Sequence, residues 1–521
     1  MGLTVAQSGS NGNSADRKAR ALRRALLVGG ASALALTIAA PAFAQTSGGD
    51  GGESSNGTAG GAGGVGPNGE AGTDGVSGTF DGTSGTFGSG GGGGAAGPTG
   101  GDGGDGGANN ANPASRGGAG GATPGADGAN GEYGPFEAAG GGGGGGAHGG
   151  VGNDATTYTL NATQTGGRGG DGGFASSYDG GGGGGGGGAG GYGHANYAAD
   201  ATLVVNSDLA GGDGGNGGFA FYGTGGAGGD GGIGAFANSS TVRVGSTGTV
   251  QGGTGGRAGD DIDLNYSQHG TGGAGVLFTG TGNLLVNSGS IAGGAGGGLS
   301  SAGTPGAGGV GVSGAGLTVI NSGSITGGLS GPGSRAPRAN AVTFGAGENV
   351  FEYQSGSSVT GNVVGDGDDL FRLGGNTDGT FDLALIGSTY RGFGQFEKTG
   401  NSTFTLGGTT TQVTPWTISD GVLEILSAGA LGADTGLLTF NNPDTALEFT
   451  AVLRSYDNLN TARDIRFLGN GAIDMSSGTS AFLSGTFTGG GRFIKTGRGR
   501  VVLSGDGSGR TGTTHLDQGV L

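Results

Sequence analysis

Very few residues in this chain have side chains suited to chemistry. There are four histidines, His148, His194, His269 and His515, and no cysteine. The first three lie in or beside glycine-rich stretches. His269 has Asp260, Asp261 and Asp263 near it in sequence, the residue types from which a general base and its carboxylate partner are built. No serine in a nucleophile-elbow context accompanies them, and the chain contains no HExxH, no P-loop and no GxSxG. No catalytic or cofactor-binding residue is therefore assigned, and the chain is expected not to be an enzyme. The one candidate metal site is Gly365-Asp366-Gly367-Asp368-Asp369-Leu370-Phe371, with Val364 before it. It fits most of one calcium-binding GGxGxDxUx nonapeptide, in which Asp366, Asp368 and Asp369 would be ligands. Calcium in that motif is shared between rungs and no second copy adjoins this one. A solvated acidic turn is the expected reading, with calcium the only cofactor in play.

The elements that would carry such residues follow from composition. Glycine supplies 148 of 521 residues and charged side chains 12%, which nearly excludes long helices because each interior glycine costs about 1 kcal/mol against alanine. Repetitive β structure with glycine corners, together with disorder, remains. Formal charge is −17, and residues 45–521 carry 17 basic against 38 acidic groups. Such a surface repels phosphate backbones, so no nucleic-acid partner is expected. The absence of cysteine excludes disulfides and thiolate metal sites.

Residues 1–44 read as a secretory signal: the basic run RKARALRR at 17–24, a short apolar core from Ala25 to Ala40, and Ala42-Phe43-Ala44 before the cut. Residues 45–201 are glycine tracts broken by Ala, Asp, Asn, Ser and Thr, including nine consecutive glycines at Gly180–Gly188. Few apolar side chains offset the ordering entropy, so this region is expected to be mostly disordered. The other reading is that its GGxGGxGG stretches stack as extended polyglycine helices, against which stands the lack of a sustained strict period. Thr157–Leu160 and Phe174–Tyr178 are candidate isolated strands.

Order is expected from Thr202. A motif of apolar strand, polar corner and terminal branched residue recurs, closing on Leu209, Val250, Ile291 and Ile325, which lie 41, 41 and 34 residues apart. That spacing suits two solenoid turns per repeat, with the glycine-rich intervals as loops. Asn206, Asn287 and Asn321 occupy the bends, where an amide can ladder with the next rung. The region divides into solenoid rungs with glycine-rich loops at 202–379 and a second solenoid part at 380–521. In the latter a unit occurs twice, as Lys398–Leu423 (KTGNSTFTLGGTTTQVTPWTISDGVL) and Lys495–Leu521 (KTGRGRVVLSGDGSGRTGTTHLDQGVL). Each copy is one short strand, a turn, and a second strand ending on Val-Leu.

These residues resemble the passenger regions of autotransporters, the Gram-negative type V secretion proteins. The pattern of their β-strand repeat runs approximately GxGxLxKxGxGxLxLSGxNxYxGxTxVxxGxL. Gly489–Gly505 follows its first half and Gly512–Leu521 its second, with Gly509-Arg510 where an aromatic is usual; Thr380–Gly436 is similar in kind. The resemblance implies an all-β, right-handed parallel β-helix, preceded here by the glycine-rich region and the signal helix. It also implies export through both membranes and display at the cell surface or outer membrane of a Gram-negative bacterium, or release from it. The family's C-terminal β-barrel is missing from this sequence, which stops with Val520-Leu521 as an uncapped apolar rung; the expectation is a fragment whose solenoid continues beyond residue 521.

The expected function is adhesion, autoaggregation or biofilm formation, with a host or neighbouring-cell surface, glycans or other copies of the chain as partners. The alternatives are a calcium-stabilised extracellular matrix or surface-layer-like protein, motivated by the acidic turns, and a β-helical polysaccharide-degrading enzyme, whose carboxylates leave no motif.

Overall fold

A computed structural model describes residues 46–55, 57–79, 87–109, 113–135, 138–176, 181–261, 267–298, 304–331, 335–443 and 451–521. The signal segment expected at 1–44 lies outside them. Apart from two short 3-10 turns at Leu383–Leu385 and Ala428–Leu431, the regular elements are β-strands, and every strand pair is parallel with its partner one coil away, as at Leu209, Val250 and Ile291. This is a parallel β-solenoid, as the sequence leads one to expect.

The coil length differs from that expectation. Leu209 is the Cα partner of Val250, Val250 of Ile291, Ile291 of Ile325 and Ile325 of Val359. Residues 41 or 34 apart are therefore direct neighbours across one ladder, so each repeat is a single coil and not two. In the C-terminal part coils shorten: Leu406 pairs with Ile425, Leu453 with Ile473, and Ile473 with Lys495. One contiguous apolar core runs from Leu203 to Val501. Its side chains alternate inward as the pleat requires. One interior column passes through Val205, Val244, Asn287, Asn321, Tyr353, Leu373, Lys398, Ile418, Phe440 and Phe467.

Asn287 and Asn321 thus replace apolar residues inside the stack. Both are fully buried, and they satisfy each other along it. Asn287 Nδ2 donates to Asn321 Oδ1 at 2.7 Å, and Asn321 Nδ2 to Ser357 Oγ at 2.6 Å. Asn206 does not join them. Its neighbour Val205 holds their column, so Asn206 sits one position further on, exposed, donating to Asn161 Oδ1 at 3.0 Å.

The largest departure concerns residues 46–201, expected to be mostly disordered. The described glycine tracts are extended strands in a hydrogen-bonded lattice. Strand 140–147 donates in three directions with a period of three. Gly140, Gly143 and Gly146 donate to Gly183, Gly186 and Ala189; Gly141, Gly144 and Ala147 to Glu132, Ala129 and Ala126; Gly142 and Gly145 to Gly104 and Gly101. Three residues per turn in an extended helix gives each strand three faces, each meeting a different neighbour. The lattice extends beyond residue 201, because the glycine-rich intervals between solenoid strands belong to it. Gly212, Gly215 and Gly218 donate to Gly191, Gly188 and Gly185.

Packing explains why the tracts look as they do. A Cβ added at Gly143 would overlap the carbonyl oxygen of Gly170, and one at Gly186 that of Gly49. Strands enclosed on all three faces can therefore hold almost nothing but glycine, which accounts for tracts such as 140–146 and 181–188 being pure. Edge strands have one free face, and every third residue there carries a side chain: GGDGGNGGF at 211–219 and GGTGGRAGD at 252–260. Ordering a glycine backbone is entropically costly, and hydrogen bonds on two or three sides of every strand are what oppose that cost here. Of the two candidate isolated strands, Thr157–Leu160 pairs with Thr202–Val205, while Phe174–Tyr178, as far as it is described, supplies two bridges at Ala175, to Gly134 and Ala220, and then runs outside the described residues.

Candidate functional surface

The three aspartates of the calcium-like turn lie on one strand, Val363–Leu373, but do not converge. Asp369 is fully buried. Its Oδ1 accepts from the Asn349 backbone amide at 3.1 Å and from Asn349 Nδ2 at 2.9 Å, and its Oδ2 from the Asp366 amide at 3.2 Å. Asp366 Oδ1 accepts from the Asp368 amide, and both of these residues are exposed. Among the described residues no group of three or more His, Asp or Glu side chains could hold a metal ion. Asp369 instead closes a corner ladder. Asn283 accepts the Ser240 amide, Asn349 the Leu317 amide, and Asp369 the Asn349 amide, each bond spanning one coil. Burial raises the Asp369 carboxyl above the ordinary carboxylate range, and the Asn349 donors oppose that shift.

His148, His194 and His269 are also engaged in structure. His148 Nδ1 accepts the Tyr192 amide at 3.0 Å, the ring stacks on Tyr192 at 4.4 Å, and Nε2 faces Tyr197 Oη at 3.0 Å. An accepting Nδ1 leaves the proton on Nε2, the neutral tautomer. Burial holds His148 and His194 down at about 4. His269 Nδ1 accepts the Ala258 amide at 2.9 Å; Asp263 lies outside the described residues. His515 lies exposed on the strand Thr514–Leu516.

Two lysines play a part that sequence reasoning missed. Lys398 is buried, and its Nζ donates to the carbonyls of Thr399 at 2.7 Å, Gly400 at 2.8 Å and Asp420 at 3.3 Å. Lys495 repeats this with Thr496, Gly497 and Gln518. Each ammonium closes its turn by binding the carbonyls that turn leaves unpaired. Gly421 and Gly519 follow with φ of 69° and 78°, and a Cβ at either would crowd the lysine Nζ. The Lys-Thr-Gly and Gly-Val-Leu ends that align the two copies are thus the two halves of one cap. Burial pushes Lys398 down to about 8, against the pull of Asp420, Asp378 and Glu352.

What the molecule presents outward is a set of polar ladders. On an edge strand of the lattice the amide on the free face has no strand to donate to, and the side chain one coil back receives it. Asp213 Oδ1 accepts from the Thr254 amide at 2.8 Å and its hydroxyl at 2.6 Å, Asp230 Oδ1 likewise from Thr271, Asn216 Oδ1 from the Arg257 amide, and Asp171 Oδ1 from the Asn216 amide. The free-face positions favour Asp, Asn and Thr because the lattice needs an acceptor there. A further ladder crosses the solenoid: Arg372 pairs with Glu397 at 2.7 Å and Glu352 at 3.5 Å, and Arg454 with Asp474 at 2.9 Å. Parallel coils repeated in this way make a long surface on which like groups recur at the rung spacing.

Over 147 residues, 28% of the chain, the sequence is 30% identical to the Adhesin BmaC autotransporter of Brucella suis biovar 1 (strain 1330). The chain is similar to part of an autotransporter adhesin. The matched stretch covers 4% of that protein's length, so the chain spans a small fraction of the relative it matches. No family profile matches the chain, and no solved structure matches it. The relation to autotransporters and the parallel β-solenoid agree with each other; an association with the Gram-negative surface is what they support.

Proposed function

We propose that the chain is a passenger segment of a surface-displayed or secreted autotransporter adhesin that acts by binding and not by catalysis. The observation that carries this reading is the partial identity with a known autotransporter adhesin. The solenoid supports it, because regular ladders of Asp, Asn, Thr and Arg suit many weak contacts with a host or neighbouring-cell surface better than one tight pocket. The β-strand repeats, the export signal and a barrel encoded with this segment belong to the same proposal. In the test, the chain fused to an outer-membrane β-barrel is displayed on a non-adherent Gram-negative host. Adhesion to cells or abiotic surfaces, or clumping of the bacteria, lost when surface protease removes the chain, is the expected result; displayed bacteria that behave like the barrel-only control would overturn it.

A further inference from the structure

Four successive coils place a side chain, and three residues later another, on the free face of the glycine lattice: Asn130 and Tyr133, Asp171 and Phe174, Asn216 and Phe219, Arg257 and Asp260. A period of three returns both members to one face. The two ladders line a cleft of about 440 Å³, within the roughly 300–1,000 Å³ typical of small-molecule sites. Tyr133 and Phe174 stack with centroids 5.1 Å apart and planes 2° from parallel, and Phe219 tilts against Phe174 at 6.4 Å. Tyr133 is 69% exposed and Phe174 45%. A lattice with no interior room for a ring explains why these rings stand outside it, but not why three of them stand in one row.

Glycine and polar side chains make up almost all of the rest of the lining, among them Arg257, whose Nη2 reaches Asp260 at 2.9 Å. Aromatic faces carry negative charge that attracts weakly positive C–H groups, and side chains of Asp, Asn and Arg bond groups that both donate and accept. Side by side, these match a pyranose, which has C–H faces and a rim of hydroxyls. Both carboxylates of the lining are paired, Asp171 with Arg168 at 3.4 Å and Asp260 with Arg257 at 2.9 Å, so the lining is close to neutral, and the chain's −17 overall disfavours sulfated, sialylated or uronic-acid sugars. We infer that the cleft binds a neutral oligosaccharide, laid along the row of rings from coil to coil. This deepens the adhesin reading and rests on it.

Calorimetry on the intact chain tests this with neutral hexasaccharides of glucose, mannose and galactose, beside sulfated and sialylated oligosaccharides. At least one neutral sugar should bind. Tyr133→Ala should weaken it at least tenfold with the melting temperature unmoved, and Tyr456→Ala, at an exposed ring elsewhere, should leave it unchanged. Saturation transferred from aromatic protons to the sugar's ring protons gives the same answer without any variant. Binding of acidic sugars alone, affinity unaltered by Tyr133→Ala with no aromatic transfer, or a Tyr133-dependent dimer without sugar binding would each overturn the inference. Displayed bacteria that adhere equally well with Tyr133→Ala would overturn this cleft and leave the adhesin reading standing.

Discussion

Asp369 shows how a residue that looks chemical in sequence becomes structural once its neighbours are known. Its carboxylate receives three donors, two from Asn349 on Oδ1 and one from the Asp366 amide on Oδ2, so what the site needs is an acceptor at both oxygens. Asp369→Asn, which keeps one oxygen and turns an NH2 toward a donor, should lower stability by about 1 kcal/mol. Asp369→Ala, which orphans buried donors, should cost about 1–3 kcal/mol in denaturant unfolding. Millimolar calcium should leave the melting temperature of both unmoved. The buried histidines make a prediction about pH. His148 and His194 titrate at about 4 when folded and near 6.5 when unfolded. Between those values the unfolded chain takes up protons that the folded chain refuses. Stability from these groups is complete above about pH 6.5 and declines as pH falls to 4, by on the order of 3 kcal/mol for each ring. Urea midpoints across that range, with and without His148→Gln, measure it; a variant that retains the wild-type slope would contradict the assignment.

At the scale of the element, the solenoid is legible in the sequence, whereas the glycine lattice enters only as the second reading of residues 45–201, for a physical reason. Leu209, Val250, Ile291 and Ile325 advertise a buried column through side-chain type. A glycine lattice has no side chains to advertise; its information lies in where residues other than glycine recur. Asp213, Asn216 and Phe219 recur every third residue because one face of that strand is free, whereas 181–188 shows no period because all faces are filled. Asn206 falls one position out of its expected column because the Asn-Ser motif matches by letter, while the ladder is set by the strand before it. Lys398 and Lys495 align two repeats without revealing that each lysine is the cap. Substitution follows the faces. Gly143→Ala and Gly186→Ala, which drive a methyl into Gly170 and Gly49 carbonyls, should cost at least about 1–3 kcal/mol each. Thr254→Ala, on a free face, should stay within about 1 kcal/mol. Lys398→Met should cost on the order of 3 kcal/mol, because three turn carbonyls then lose their donor while buried. Thermal unfolding of the four variants orders them.

In the whole molecule these two architectures share their coils. Each coil between residues 202 and 341 gives strands to the solenoid and an out-and-back glycine pair to the lattice; the first pair, 211–234, leans on strands from residues 46–200, and each later pair leans on the one before it. Gly212, Gly215 and Gly218 donate to Gly191, Gly188 and Gly185, Asp230 donates to Ser47, and Ala227 to Asp50. From Val342 onward the described coils have no such excursion and pair with neighbouring solenoid strands over the shared core. Stability in a stack is approximately a sum of nearest-neighbour terms, so losing residues 46–200 should be felt where the lattice is shared and not where it is absent. Hydrogen exchange makes the contrast measurable, since opening free energies vary along a chain with local packing and exposed hydrogen bonds. In the full chain the amides of 140–147 and 183–191 should exchange as slowly as those of Thr403–Gly407, whereas a disordered glycine tract would exchange at the unprotected rate. In a fragment of residues 202–521, protection should vanish at Gly212, Gly215, Gly218, Thr224, Ala227 and Asp230, whose acceptors lie in residues 46–200, and persist across 403–425. A fragment that keeps those six amides protected would mean that the glycine excursions are held by their own solenoid strands, and the lattice would then be a covering of the fold and not a shared half of it.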